Sequence, residues 1–280
     1  MNQHVEILMP LNSGGYGDVY LGRVLPRGTQ VVVKYLRDYH LPHCRKAFER
    51  EVQILSRRLP GLIPVLFADL TAQPPYYVMP YLEAGALTQY AGRLGEHQLH
   101  AVATDLARTL AGLHAMFGAD GDVKPDNVLV TDNGHLQLAD PLGNGGLLTM
   151  LFSENSGGTP GYCAPEIRAG ASISRAGDVF SFGATLYHLL TGRRPQDGQR
   201  PDPSSEGYRI APKIREVISA CCQWDPKTRP TMEEVSRMLA GESWADIQEQ
   251  NRRVGNLVTG VFLFGIGLLG VAALAQGDKG

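Results

Sequence analysis

The sequence carries almost no net charge: 26 basic residues stand against 28 acidic ones, a formal balance of −2. Without a basic excess there is no electrostatic footprint for nucleic acid, and no nucleic-acid partner is expected. Cysteine is scarce. Cys44, Cys163, Cys221 and Cys222 match no zinc spacing, and the adjacent pair is poorly placed to bridge, so the usage fits a reducing cytosol. The first thirty residues lack a basic stretch followed by an apolar one, so the N-terminal region is expected to stay in the cytoplasm. Repeats and low-complexity runs are absent. With 43% hydrophobic residues, 280 residues suffice for a full core in one or two domains.

Long apolar runs are missing too, except near the C-terminal end. Residues 254–275 contain no charge and are rich in Leu, Val, Phe, Gly and Ala. As a helix rising about 1.5 Å per residue, the run would reach roughly 30 Å, enough to cross a bilayer's hydrocarbon core. Gly260, Gly265, Gly267 and Gly270 would weaken a soluble helix but are common in membrane ones. A buried terminal helix is the alternative. Arg252 and Arg253 precede the run and only Lys279 follows it, which places the larger part in the cytoplasm. The expectation is a single-pass anchor at 254–275 in the cell (inner) membrane, a linker at 244–253 and a short tail at 276–280.

What is present begins with apolar runs Val5–Leu8, Val19–Val24 and Val31–Leu36, separated by turn-forming residues, which predicts an antiparallel meander. Between the first two runs lies Ser13-Gly14-Gly15-Tyr16-Gly17-Asp18-Val19. Glycines let a backbone approach a ligand and aim N–H groups at phosphate oxygens, although a plain hairpin turn explains the same residues. Lys34 ends the run Val31-Val32-Val33. The following stretch, Pro42 to Leu59, sets Phe48, Val52, Leu55 and Leu59 at helical spacing. Glu51 falls on that inward stripe and Glu49 does not. A carboxylate facing a core requires a partner, and Lys34 is the natural one.

Farther on, Val128-Leu129-Val130 and Leu136-Gln137-Leu138 flank Asp132-Asn133-Gly134-His135, which predicts a tight hairpin. With Asn133 and Gly134 as a two-residue turn, 132 pairs with 135, 130 with 137, and 127 with 140. That register would set Asn127 against Asp140 with Cβ atoms about 5 Å apart, a donor pair suited to Mg²⁺ carrying phosphates. Asp122, on the loop entering the hairpin, is free to act as a base.

Taken in order over residues 5 to about 243, these motifs resemble the eukaryotic-like serine/threonine protein kinase family, in its bacterial membrane-anchored form. The resemblance implies an α+β, two-lobed fold, with a small antiparallel β lobe and one main helix at 1–83 and a larger, mostly helical lobe at 84–243. It identifies Leu11, Asn12, Ser13, Gly14, Gly15, Tyr16, Gly17 and Val19 with the glycine-rich loop, and Lys34 and Glu51 with the lysine and its helix partner. Asp120-Gly121-Asp122-Val123-Lys124-Pro125-Asp126-Asn127 is similar to the catalytic loop, with Asp122 as base and Lys124 as the residue typical of Ser/Thr specificity. Asn127 and Asp140 would hold Mg²⁺ (or Mn²⁺), and ATP would be the donor. Val19, Val32 and Leu129 would sandwich adenine beside Met79, with backbone contacts from Pro80 and Leu82. Gly158 to Glu166 resembles the end of the activation segment, Asp178 to Gly183 the start of a buried central helix, and Asp225 to Pro230 the motif whose arginine pairs with Glu166. The partners implied are protein substrates at or near the membrane.

The chain departs from the family at several points. Asn12 replaces a loop glycine; Asp120-Gly121 replaces His-Arg before the base; Asp140-Pro141-Leu142-Gly143 replaces Asp-Phe-Gly, leaving Leu142 to link the lobes. Without the arginine there is no receptor for a phosphorylated activation segment, so activity is expected not to require phosphorylation there. A catalytically dead ATP-binding scaffold and a small-molecule kinase of the aminoglycoside or choline type are the rival readings. His40, His43 and Cys44 read as a solvated helix start. Leu99, Val102, Leu106, Leu110 and Leu113 read as the buried stripe of a helix that exposes His97 and His100.

Overall fold

The structure is a computed structural model describing residues 4–13, 17–141, 159–206, 208 and 210–253, without the side chains of 12, 13, 205 and 206. Gly14, Gly15, Tyr16 and Leu142 lie outside the described residues, as do the run 254–275 and the tail 276–280. No helix among the described residues is long and apolar enough to cross a membrane.

The expected meander is a five-stranded sheet with every neighbour antiparallel. Its strands are β1 (His4–Ser13), β2 (Gly17–Leu25), β3 (Thr29–Leu36), β4 (Phe67–Asp69) and β5 (Tyr76–Pro80), in the order β1-β2-β3-β5-β4. β3 is central, which explains why Val31, Val32 and Val33 are buried in succession. Val31, Val33 and Val78 form a core on one face with Val5, Val24, Tyr35, Phe67 and Tyr76. Registers Val19↔Lys34, Leu21↔Val32, Val32↔Met79 and Lys34↔Tyr77 put Val19, Val32, Lys34, Tyr77 and Met79 on the other.

That second face meets α1 (Pro42–Leu55), which buries Phe48, Glu51, Val52 and Leu55. Pro42 sits in the first turn, where its missing N–H costs nothing. The helix stops four residues short of the expected Leu59. Arg57 and Arg58 donate to Ile54 and Leu55 in tighter turns, Arg58 turns left-handed at φ 53°, and Pro60 disfavours helix at Leu59.

The helical part is organised around α2 (Glu96–Met116) and α4 (Arg175–Thr191). Leu99, Leu106, Leu110 and Leu113 are buried along α2 as expected, and Val102 is half-buried. From Gly177 to Leu189 every residue of α4 is buried, which accounts for its apolar surroundings on all sides. The short α3 (Pro165–Arg168) precedes it; α5 (Pro212–Cys221) and α6 (Met232–Leu239) follow, with α5 packed on α4 and α6 on α2. Contacts divide the chain after Leu239. Within the second unit, residues 244–253 form a helix begun by the Ser243 hydroxyl, which accepts the Asp246 N–H.

The hairpin of β6 (Val128–Val130) and β7 (Leu136–Leu138) exists, but its register corrects the expectation. Val130 pairs with Leu136 rather than Gln137, and Val128 with Leu138. The loop has three residues, Asp132, Asn133 and Gly134, closed by Gly134 N–H to Thr131 O at 2.8 Å and Thr131 N–H to His135 O at 2.9 Å. Gly134 takes φ 80°, the left-handed position that ends a three-residue hairpin loop. The Ala139 N–H therefore donates to Asn127 O, so Asn127 is matched with Ala139 and not with Asp140. A one-residue slip turns a strand's side chains to the opposite face. Asp140 is instead aimed by its own backbone, at φ 55°, a conformation rare outside glycine.

Candidate active site

Lys34 is 6% exposed and gathers two carboxylates: its Nζ donates to Glu51 Oε1 and to Asp140 Oδ1, each at 2.8 Å. The Tyr77 hydroxyl donates to the same Glu51 oxygen at 2.6 Å. Burial alone would lower the Lys34 pKa, but Asp140 and Glu51 together hold the ammonium above its ordinary value. For Glu51, burial dominates and pushes the carboxyl up to about 7 against the pull of Lys34. The sequence-derived Lys34–Glu51 pair is present; Tyr77 is an added partner that spacing did not reveal.

The loop before the hairpin carries the second cluster. Asp122 Oδ2 accepts from Lys124 Nζ at 2.6 Å and from Asn127 Nδ2 at 3.0 Å; Asn127 Nδ2 also reaches the Asp122 carbonyl at 2.9 Å. The Thr159 hydroxyl donates to Asp122 Oδ1 at 2.9 Å and accepts from Lys124 Nζ at 2.8 Å. The side chains of Asp122 and Lys124 are 20% and 19% exposed, so an incoming group can reach them. Thr159 completes the cluster from 37 residues away.

The loop is pinned from beneath by α4. Asp178, 1% exposed, accepts the backbone N–H groups of Asp120 and Gly121 at 2.6 and 2.8 Å and bonds His114 Nε2 at 2.8 Å. Gly121 stands at φ 88°, and a Cβ there would lie 2.8 Å from Ile173 Cδ1. An arginine at that position would strain the backbone and require the Ile173 side chain to shift. Behind the loop, Arg229 grips Glu166 through two parallel bonds of 2.7 and 2.8 Å, the pair expected from sequence.

Of the residues expected to face the nucleotide, Val32 and Met79 are buried at 7% and 8%, while Val19, Pro80, Leu82 and Leu129 are half-buried. Leu129 bridges to Ala86, which ties the hairpin to the segment after β5. Leu11 is exposed near the end of β1; Asn12 and Ser13 pair by backbone with Val19 and Asp18. Gly17 is needed for packing, since a Cβ would stand 2.6 Å from the Tyr35 carbonyl.

Asn127 and Asp140 offer one amide and one carboxylate oxygen donor, a hard set that fits Mg²⁺ or Mn²⁺ completed by water and phosphate. The commitment of Asn127 Nδ2 to Asp122 turns the amide oxygen to the other side, which suits that role. Among the described residues no group of three or more His, Cys, Asp or Glu is arranged to hold a metal, His40-His43-Cys44 included.

The protein kinase domain matches residues 5–239. The chain is 31% identical over 262 residues to the probable serine/threonine-protein kinase PkwA of Thermomonospora curvata, covering 85% of this chain and 35% of that protein. It is 31% identical over 254 residues to the serine/threonine-protein kinase AfsK of Streptomyces coelicolor (84% and 31%). With the serine/threonine-protein kinase PknA of Nostoc it shares 27% over 258 residues (82% and 46%). The chain thus spans about a third to a half of the length of these relatives.

Proposed function

The chain belongs to the protein kinase family, and we propose that it transfers the γ-phosphoryl group of ATP to serine or threonine hydroxyls of proteins, itself included. The observation that carries this reading is the Asp122–Lys124–Thr159 cluster, in which one carboxylate already accepts a hydrogen bond from a hydroxyl and an ammonium stands beside it. Asp122 orients the acceptor hydroxyl and takes its proton as the new oxygen–phosphorus bond forms and the bond to ADP breaks. Lys124 steadies the γ-phosphate. Lys34, held charged by Glu51 and Asp140, offers its ammonium to the other phosphates. Asn127 and Asp140 would hold Mg²⁺, which would supply neutralising charge for the phosphate oxygens.

Every acid, base and metal-donor position is filled, which favours an active enzyme over a dead scaffold, and Lys124 favours a protein acceptor over a small molecule. Incubation of the full chain with labelled ATP and an acceptor protein distinguishes the three. Label on serine or threonine supports the proposal; absence of transfer supports the scaffold, and a labelled small molecule the third reading.

Two features of regulation and place follow from the same residues. Gly121 stands where the family has an arginine that could receive a phosphorylated activation segment, so phosphatase treatment should leave the rate unchanged. The uncharged run 254–275, after Arg252 and Arg253, supports an anchor that holds the catalytic part at the cytoplasmic face of the inner membrane, near its protein substrates. Recovery of the full chain in the soluble fraction without detergent would remove that anchor.

A further inference from the structure

Asp120 is a buried acid that the phosphoryl-transfer steps leave unused. It stands two residues before Asp122 and is 1% exposed. Its Oδ1 accepts the backbone N–H of Asp122 at 3.0 Å, and among the described residues its Oδ2 is buried with no hydrogen-bond partner. Its own N–H is held by Asp178, so a second carboxylate, also 1% exposed, lies against it. Two charged carboxylates this close in an interior are costly. Asp178 is met by three contacts, from His114, Asp120 N–H and Gly121 N–H. Asp120 has one. Burial first, then the charge of Asp178, pushes its carboxyl well above the ordinary value, against the pull of the Asp122 N–H.

Gly121, between Asp120 and Asp122, has no side chain with which to brace the loop, and its left-handed backbone is a conformation that glycine adopts freely. The Asp120 side chain supplies the missing brace. We propose that Asp120 is the positioning residue for the base: by clamping the Asp122 N–H it fixes the direction in which the Asp122 carboxylate meets the acceptor hydroxyl. This role rests on the protein kinase reading above. It also accounts for a departure from the family pattern: where the family places a histidine, this chain places a buried carboxyl whose acceptor oxygen faces along the loop.

The test uses the full chain with Asp120→Asn and Asp120→Leu, measuring kcat and KM for ATP and for an acceptor protein. Asparagine keeps the shape and the acceptor oxygen; leucine keeps similar bulk without it. The expected result is that Asp120→Asn stays within about twofold of wild type. Asp120→Leu should lose about 10- to 100-fold in kcat, the scale of a misdirected catalytic group, with KM for ATP unchanged. Asp120→Ala replaces the leucine variant if that one fails to fold, and nucleotide binding verifies folding in each case. A folded leucine or alanine variant with wild-type kcat overturns the proposal, as does an asparagine variant that loses as much as leucine. If wild type itself transfers no phosphate, the kinase reading fails instead.

Discussion

Arg229 is the position where the geometry sets the largest stability cost. Its side chain is fully buried, and all five of its N–H donors are used: Nε to Gln223 O at 2.7 Å, Nη1 to Glu166 and Ala176 O at 2.7 and 2.8 Å, and Nη2 to Glu166 and Trp224 O at 2.8 and 3.2 Å. The guanidinium also lies 5.1 Å from the Phe180 ring centroid. Arg229→Met would leave Glu166 and three carbonyls without their donor, and breaking a buried pair from one side costs about 3–5 kcal/mol. Arg229→Lys keeps the charge but has three donors diverging from one point, so it loses the parallel pair and leaves at least two of the five acceptors unmet, about 2–4 kcal/mol. Against a folding margin of about 5–15 kcal/mol, either loss is readily measured. Chemical denaturation followed by tryptophan fluorescence suits the case, because the Trp224 carbonyl is itself one of the acceptors. A cycle adding Glu166→Leu should show the double variant losing well under the sum of the single ones. An Arg229→Lys cost below about 0.5 kcal/mol, in the range of a surface substitution, or an additive cycle, would refute this accounting.

Thr159→Val removes the hydroxyl that bridges Asp122 and Lys124 while keeping the shape. A fall in kcat of about tenfold is expected, one hydrogen bond's worth, with Thr159→Ser near wild type in the same steady-state assay. The pH dependence of stability carries the mark of Asp120. Its folded value is raised above the ordinary 3.8, so the stability it contributes is fully present below that value and is lost as pH rises toward the folded one. Wild type should therefore lose stability relative to Asp120→Asn as pH rises above about 4, by at most about 1.4 kcal/mol per pH unit. Denaturation midpoints of both proteins across that range check the sign.

The apolar run ending at Lys34 and the helical spacing of α1 were enough to pair Lys34 with Glu51, because period 3.6 fixes the buried side of the helix and a buried carboxylate needs a cation. The hairpin was legible as a hairpin, but its register was not. Asn-Gly suits a two-residue turn, yet the Thr131 hydroxyl bonds both Asn133 Oδ1 and His135 O and stabilises a three-residue loop instead. That single added residue detaches Asp140 from Asn127 in the ladder and leaves its direction to its own left-handed backbone. The partners of the catalytic loop were harder to see. Thr159, His114 and Tyr77 meet Asp122, Asp178 and Glu51 across 37, 64 and 26 residues of chain, and no local periodicity encodes such contacts. The end of α1 was missed for a local reason, the pairing of Arg58 with Pro60 near its last turn.

The central claim is that Asp122 performs the chemistry while Lys34 and its carboxylates hold the nucleotide. Autophosphorylation and acceptor phosphorylation by wild type, Asp122→Ala and Lys34→Ala, each beside a direct measurement of ATP binding and with the modified sites mapped, test it most directly. The account predicts labelled serine or threonine in wild type, no transfer but retained ATP binding in Asp122→Ala, and weakened nucleotide binding in Lys34→Ala. An Asp122→Ala protein that transfers phosphate at the wild-type rate would contradict it.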